Sequence, residues 1–327
     1  MKIGVVGCGA LGSFYGARLS RSGEEVHFLL RSDYDAVRRA GVEIRSVDGD
    51  FRVRPAVARQ PEEIGKCDLV LVALKTTANE HLRRLVTPLA GPETSVLTLQ
   101  NGLGNEEALA AVVGPEPVLG GLCFVCLNRV APGVIVHSAH GHVVIGEHQK
   151  TGGERLRTIQ ALFARAGIEC RLTEDLERAH WEKLIWNVPF NGLGVAGAAG
   201  YEAVSAGRLL GGRVEDECLP TDRLLAEPKW TTLVRELMVE VIRTAGALGF
   251  DLDPALAERN IERTRVMGAY RASTLLDYEK GMPIELDSLF REPLRRARRA
   301  GVETPRLAAL CSLLESLELR KAEDASR

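Results

Sequence analysis

Lys2-Ile3-Gly4-Val5-Val6-Gly7-Cys8-Gly9-Ala10-Leu11-Gly12 is the stretch around which the rest of this chain is read. Ile3, Val5 and Val6 make a short β-branched run of the kind that forms a buried strand. Gly7, Gly9 and Gly12 then spell G-x-G-x-x-G, and the residues through Ala17 and Leu19 continue as a helix that ends near Gly23. The motif therefore lies between a strand and a helix, inside a βαβ unit, where a dinucleotide fingerprint operates. Gly7 permits the tight turn, Gly9 lets a pyrophosphate approach the backbone, and Gly12 lets the helix pack closely on the strand. The first N–H groups of the helix and its positive dipole end then face the phosphates.

The chain has 327 residues, enough for two domains with sizeable cores. Hydrophobic residues make up 45% and charged residues 26%, an ordinary globular balance, and a formal net charge of −2 gives no reason to expect nucleic acid or an anionic membrane as partner. There is no apolar run long enough to span a membrane. A strand that starts at residue 2 leaves no room for a signal peptide, so a cytoplasmic location is expected. Seven scattered cysteines, an odd count, suit free thiols in a reducing compartment. Cys123-Phe-Val-Cys126 has C-x-x-C spacing, but it falls in a strand-like run where residues three apart point to opposite faces; burial is the expected role.

Past the first helix, Glu25 to Leu30 reads as a second strand, closed by Arg31-Ser32. A carboxylate at the end of this strand suits the ribose hydroxyl of NAD, whereas an arginine suits a 2′-phosphate. Arg31 therefore points to NADPH, although Asp33 is close by. Val42 to Arg54 reads as a hairpin around Asp48-Gly49. Asp68 to Leu74 has the continuous apolar character of a buried parallel strand, and Ser95 to Leu99 is the next one. Lys75 and Asn101 follow these two strands at the edge that lines the ligand crevice of such a sheet. Further strands are expected at Val118–Leu127, Val134–Ser138, His142–Glu147 and Ile168–Leu172, with turns at Pro132-Gly133 and His140-Gly141 and a helix from Glu154 to Ala166. His137, His140 and His142 have no carboxylate cluster beside them, and no metal site is expected.

From Glu174 onward the pattern is helical. The fold class expected is α/β: an N-terminal Rossmann-type domain over 1–173 and an all-helical C-terminal domain over 174–327. Residues 198–229 read as an irregular insertion and 321–327 as a frayed tail. Lys183, Asn187 and Asn191 lie four apart, on one helix face, among Trp181, Leu184, Ile185, Trp186 and Phe190. Polar groups in apolar surroundings need partners, and a substrate carrying a carboxylate, a carbonyl and a hydroxyl would supply them; a solvated helix face is the equal alternative. A second segment, Ser273 to Asp287, reads as a helix, a Gly281-Met282-Pro283 break, and a new helix starting near Pro283 that holds Glu285 and Asp287 in its first turn. The arginines between 291 and 299 read as a solvated helix face.

Taken together, Gly7 to Gly12, Arg31, Lys75, Gln100-Asn101-Gly102, Lys183 with Asn187 and Asn191, and Ser273 followed by Asp277 and Glu285 resemble the ketopantoate reductase (2-dehydropantoate 2-reductase) family over nearly the whole chain. The resemblance implies a Rossmann-type domain, a helical domain and a site in the cleft between them. It implies NADPH-dependent reduction of ketopantoate to pantoate on the route to pantothenate and coenzyme A. It also implies roles: Lys183 as general acid; Glu285 binding cofactor or orienting the site; Asn187, Asn191 and Ser273 on the substrate. Asn101 would sit at the nicotinamide and substrate. Gly7, Cys8, Gly9, Ala10, Leu11 and Gly12 would hold the pyrophosphate, and Arg31 and Lys75 the 2′-phosphate end.

The sequence departs from the family pattern at Pro189, which would kink the helix between Asn187 and Asn191. It departs again at Asp287-Ser288-Leu289-Phe290, at Tyr270-Arg271-Ala272 and in the length of 198–229. All are on the substrate side, so a different 2-oxo acid, a related 3-hydroxyacid dehydrogenase and a non-catalytic dinucleotide sensor stand as alternatives. The apolar helical half could form a homodimer.

Overall fold

In a computed structural model that describes residues 1–150, 153–210 and 217–325, the opening stretch forms β1 (Lys2–Val6) and runs through Gly7–Gly9 into α1 (Ala10–Arg21). The chain divides into two units, Met1–Leu176 and Glu177–Arg327. The first continues as β2 (Glu25–Leu29), α2 (Tyr34–Ala40), β3 (Val42–Ser46), β4 (Phe51–Val53), β5 (Ala56–Ala58), β6 (Cys67–Val72) and α3 (Leu82–Val86). It then forms β7 (Ala90–Thr98), α4 (Asn105–Val113), β8 (Val118–Ala131), β9 (Val134–Glu147), α5 (Glu154–Arg165) and β10 (Cys170–Leu172).

These strands make one mixed sheet in the order β4-β3-β9-β8-β7-β6-β1-β2-β5, with β10 beside β9. The stretch β5-β2-β1-β6-β7-β8 is parallel throughout. Its apolar runs are continuous because both faces are covered. Ile3 and Val5 of β1, Leu69 and Leu71 of β6 and Leu97 of β7 pack with Phe14, Tyr15 and Leu19 of α1 and with Phe163 of α5. Val6, Val70, Val72 and Val96 point the other way, against Leu82 and Val86 of α3 and Leu109 of α4. This is the Rossmann-type arrangement expected.

Two expectations change here. β8 and β9 are long partners joined at Pro132-Gly133, and His140-Gly141 is a bulge inside β9 rather than a turn. The pairing skips at that point, from Phe124↔His142 to Val125↔His140, and His140 has φ +63°. A glycine beside a positive-φ residue can absorb one extra residue without ending a strand.

The second unit is helical among its described residues: α6 (Leu176–Ala196, whose first residue closes the first unit), α7 (Tyr201–Ala206), α8 (Thr221–Ala226) and α9 (Pro228–Ala247). They are followed by α10 (Leu256–Arg265), α11 (Ser273–Glu279), α12 (Glu292–Arg299) and α13 (Pro305–Ala325). No helix among the described residues is long and apolar enough to cross a membrane. The stretch 198–229 is not an irregular insertion: it holds α7, α8 and the start of α9, while residues 211–216 lie outside the described residues. Residues 321–325 continue α13 instead of fraying, and 326–327 lie outside the described residues. Pro189 does not break α6, which runs on to Ala196. The helix expected to start near Pro283 begins only at Leu286, passing through a π turn, Asp287–Arg291, into α12. The Ile284 N–H donates to Glu318 of α13, which holds Pro283–Glu285 outside the helix.

One buried carboxylate ties α9 to α13. Glu240 is 5% exposed and accepts from the N–H groups of Arg306 and Leu307 at 2.8 Å each. It satisfies two of the orphan donors at a helix start. Burial pushes its carboxyl above 4.5, and the two backbone donors pull against that shift. The folded protein thus holds the Glu240 proton more tightly than the unfolded chain, so this group's contribution to stability falls as pH rises through 4.5. Glu240→Ala should cost about 1–3 kcal/mol in urea unfolding at neutral pH, since it strands two buried donors. The stability of the natural protein relative to Glu240→Gln should decline as pH rises through 4.5. An alanine variant as stable as the natural chain would contradict the capping role.

Candidate functional site

Strand register puts the first unit's candidate residues on one edge. Val6 aligns with Leu29 and with Val72, and Val72 aligns with Thr98. All four strands are parallel, so Gly7, Arg31, Lys75 and Asn101 leave the sheet on the same side. The outer two strands of this set, β2 and β7, are three spacings apart, about 14 Å. The connections reverse direction at β1, with β2 on one side and β6 on the other. Ligands bind an open α/β sheet at such a switch point, beyond the carboxyl ends.

The three motif glycines do different work. Gly7 has φ +97°, and a Cβ there would lie 2.3 Å from the Leu74 backbone nitrogen. A Cβ on Gly12 would lie 2.3 Å from the Gly7 carbonyl oxygen. Both positions are closed by protein backbone. Gly9 is different: a Cβ there would meet nothing within 4 Å. The room at Gly9 lies at the start of α1, whose first turn holds no acidic residue and whose cap makes no side-chain hydrogen bond. Free N–H groups, a positive dipole end and no competing carboxylate fit a pyrophosphate. Cys8, Ala10 and Leu11 are half-buried and pack against the core beneath. Burial, reinforced by the Asp33 charge, pushes the Cys8 thiol far above its usual range, so Cys8 is a packing group and not a nucleophile.

Arg31 and Asp33 have opposite environments. Arg31 is exposed at the end of β2. Asp33 is 6% exposed and fully engaged. Its carboxylate accepts from Arg129 at 2.8 and 2.9 Å, from the Gly133 N–H at 3.1 Å and from the Ser32 hydroxyl at 3.0 Å. Asp33 thus ties the end of β2 to the turn between β8 and β9. Lys75 is exposed, with extended backbone, at the head of a 3₁₀ turn, Thr76–His81.

Asn101 is half-buried and rests on a polar chain that sequence reading missed. Thr98 Oγ1 donates to Gln100 Oε1 at 3.0 Å, and Gln100 Nε2 donates to Asn79 Oδ1 at 2.7 Å. Asn79 Nδ2 donates to Asn105 Oδ1 at 3.3 Å, and Asn105 Nδ2 donates to the Asn101 carbonyl at 3.0 Å. Asn79 and Asn105 thus hold the loop that carries Asn101. Asn105 reaches Asn101 only four residues back, but Asn79 comes from a separate turn that no local pattern links to them.

In the second unit, α6 is buried on almost every side from Leu184 onward, so its polar residues stand out. Asn187 is 7% exposed, and its amide has no hydrogen-bond partner among the described residues. Asn191 is 3% exposed. Its Oδ1 accepts from the Thr274 N–H at 3.0 Å and from the Ser273 hydroxyl at 3.3 Å. Asn191 therefore caps α11, whose own cap residue, Ala272, has no side chain to do so. That contact brings Asn191 and Ser273 together and leaves the Asn191 NH₂ group as a donor. Lys183 is half-buried one turn before Asn187. Glu285 is 3% exposed and is the last residue before the helix at Leu286.

His137, His140 and His142 all lie in β9. His137 is buried against Phe14, with Nδ1 2.8 Å from the Ser46 hydroxyl and Nε2 at 3.0 Å and 3.2 Å from two backbone carbonyls. Two acceptors at Nε2 require the proton there. Among the described residues no His, Cys, Asp or Glu group is arranged to hold a metal.

Comparison with known proteins gives a consistent picture. The pattern for the ketopantoate reductase PanE/ApbA family matches residues 3–150, and the pattern for its C-terminal region matches residues 217–318. The chain is 37% identical to a 2-dehydropantoate 2-reductase from a Nostoc species, over 98% of this chain and 96% of that protein. A crystal structure of 2-dehydropantoate 2-reductase from Geobacter metallireducens superposes with a TM-score of 0.89 at 43% identity, covering 96% of this chain and 99% of that one. The enzyme of the same name from Methylococcus capsulatus gives 0.83 at 34% identity, over 98% of each chain.

The contrast among the glycines is testable. Gly9→Val should unfold within about 2 °C of the natural protein yet fail to bind a nicotinamide dinucleotide in a fluorescence titration. Gly12→Ala should cost about 1–3 kcal/mol, since its Cβ meets backbone. Undiminished binding by Gly9→Val would remove the pyrophosphate from this turn.

Proposed function

This chain belongs to the ketopantoate reductase PanE/ApbA family, and from that premise we propose that it reduces ketopantoate to pantoate with NADPH, a step toward pantothenate and coenzyme A. Residues 1–173 are then the NADP-binding domain and 174–327 the substrate and catalytic domain. The observation that carries the cofactor assignment is the pair at the end of β2. Asp33, the residue that would otherwise serve NADH, is consumed by Arg129 and Gly133, while Arg31 stands exposed. A planar, permanently charged guanidinium matches a 2′-phosphate.

The bound dinucleotide supplies the hydride. This chain's residues supply position and charge. Gly7 to Gly12, Cys8, Ala10 and Leu11 included, hold the pyrophosphate at the α1 N-terminus. Arg31 and Lys75 hold the adenosine 2′-phosphate end. Asn101 serves the nicotinamide ribose and the substrate. Asn187 and Asn191 offer amide donors to the substrate carboxylate and hydroxyl, with Ser273 beside Asn191. The Lys183 ammonium stabilises the charge that grows on the carbonyl oxygen and then gives its proton to the alkoxide. Glu285 binds cofactor or orients the site. Free cysteines throughout the described residues support a reducing compartment, the cytoplasm.

Two experiments test this reading. Arg31→Ala should raise KM for NADPH about tenfold or more and leave KM for NADH nearly unchanged; equal effects on both would refute the 2′-phosphate role. Lys183→Ala should lower kcat by about 10²–10⁴. The natural protein should lose rate on the alkaline side as Lys183 deprotonates, and the variant should lack that limb. A variant with the same alkaline limb would exclude Lys183 as the acid.

A further inference from the structure

The arginine-rich segment read from sequence as a solvated helix face is organised in a way its composition does not reveal. From the last residue of the π turn onward, Arg291, Leu294, Arg295 and Arg298 fall at helical spacings of three, four and seven, on one face. The facing stripe of α13 is Ala308, Cys311, Ser312 and Glu315, with the same spacing. Together these eight residues line a cavity of about 290 Å³. Three guanidiniums and one carboxylate border it.

The cations are not equally engaged. Arg291 Nε donates to Glu315 at 2.7 Å, and its NH1 donates to Asp287 at 3.4 Å. Arg295 Nε donates to Glu292 at 2.8 Å, with its NH1 3.6 Å from Asp287. The Arg298 guanidinium, in contrast, has no ion pair or hydrogen bond among the described residues. The pairs made by Arg291 and Arg295 are exposed at 39% and 45% on the arginine side, and such surface pairs are worth only about 0–1 kcal/mol. A stronger anion can take over either arginine. Cys311 contributes no charge, because burial pushes its thiol up to about 12.

We propose that this cavity binds a small organic phosphate monoester. A dianion with three acceptor oxygens matches several convergent forked donors better than a single carboxylate does. Arg298 is the primary ligand, Arg291 and Arg295 turn from their surface pairs toward the phosphate, and the Ser312 hydroxyl adds a donor. The volume exceeds what a bare phosphate needs, and Leu294, Ala308 and Cys311 offer apolar contact to a carbon skeleton. The site lies wholly within the helical unit and is separate from the residues assigned above to the nucleotide.

The probe is phenyl phosphate, titrated by calorimetry at constant ionic strength into full-length Arg31→Ala protein, where the proposed nucleotide phosphate site is disabled. Saturable one-site binding is expected. Adding Arg298→Ala should weaken it at least tenfold, with an unchanged unfolding temperature to show that the fold is intact. Adding Glu315→Gln instead should tighten it severalfold, because that carboxylate competes for Arg291. Absence of saturable heat, equal binding with and without Arg298, or binding that is not tightened by Glu315→Gln overturns the site. None of these outcomes depends on turnover.

Discussion

The contact between α1 and the turn that follows β1 is the constraint on which the first unit rests. A Cβ on Gly12 would stand 2.3 Å from the Gly7 carbonyl oxygen, and one on Gly7 would stand 2.3 Å from the backbone of Leu74 beyond β6. Glycine at both positions lets a helix start, a tight turn and the end of a neighbouring strand share one small volume. The rest follows from strand pairing. Once β1 lies between β2 and β6, parallel register brings Arg31, Lys75 and the Asn101 loop to the same edge. The start of α1 then faces the space that no protein atom fills at Gly9.

The helical unit works by the opposite means, forcing polar groups into an apolar interior. Asn187 and Asn191 are buried because α6 is surrounded, not because their own chemistry favours it. Asn191 spends its carbonyl on capping α11 and so fixes Ser273 beside it. Asn187, one turn earlier, takes no part in that cap.

What could be read from the sequence was what is local. Strand β1, the glycine turn and α1 follow from alternation and spacing within a dozen residues, and so does the hairpin of β3 and β4. The helical character of the second half follows from its apolar periodicity. The misreadings arose where distant partners decide. Asp33 looked like a rival to Arg31 because its partner Arg129 is 96 residues away. His140-Gly141 looked like a turn because glycine signals one, but pairing with β8 carries the strand through as a bulge. Pro283 looked like a helix start until Glu318 of α13 took the Ile284 N–H. The support that Asn79 gives to Gln100 and Asn105 joins segments more than 20 residues apart that no periodicity links. The arginine stripe borders a cavity only because α13 presents Ala308, Cys311, Ser312 and Glu315 opposite it, a pairing of helices that its own spacing does not reveal.

The most direct measurement is the rate at which the natural protein oxidises NADPH with ketopantoate, run beside NADH and beside other branched 2-oxo acids. Rapid turnover with ketopantoate, with NADPH preferred over NADH by about tenfold or more, is the result predicted. NADPH binding without turnover of ketopantoate, or turnover indifferent to the 2′-phosphate, would contradict it.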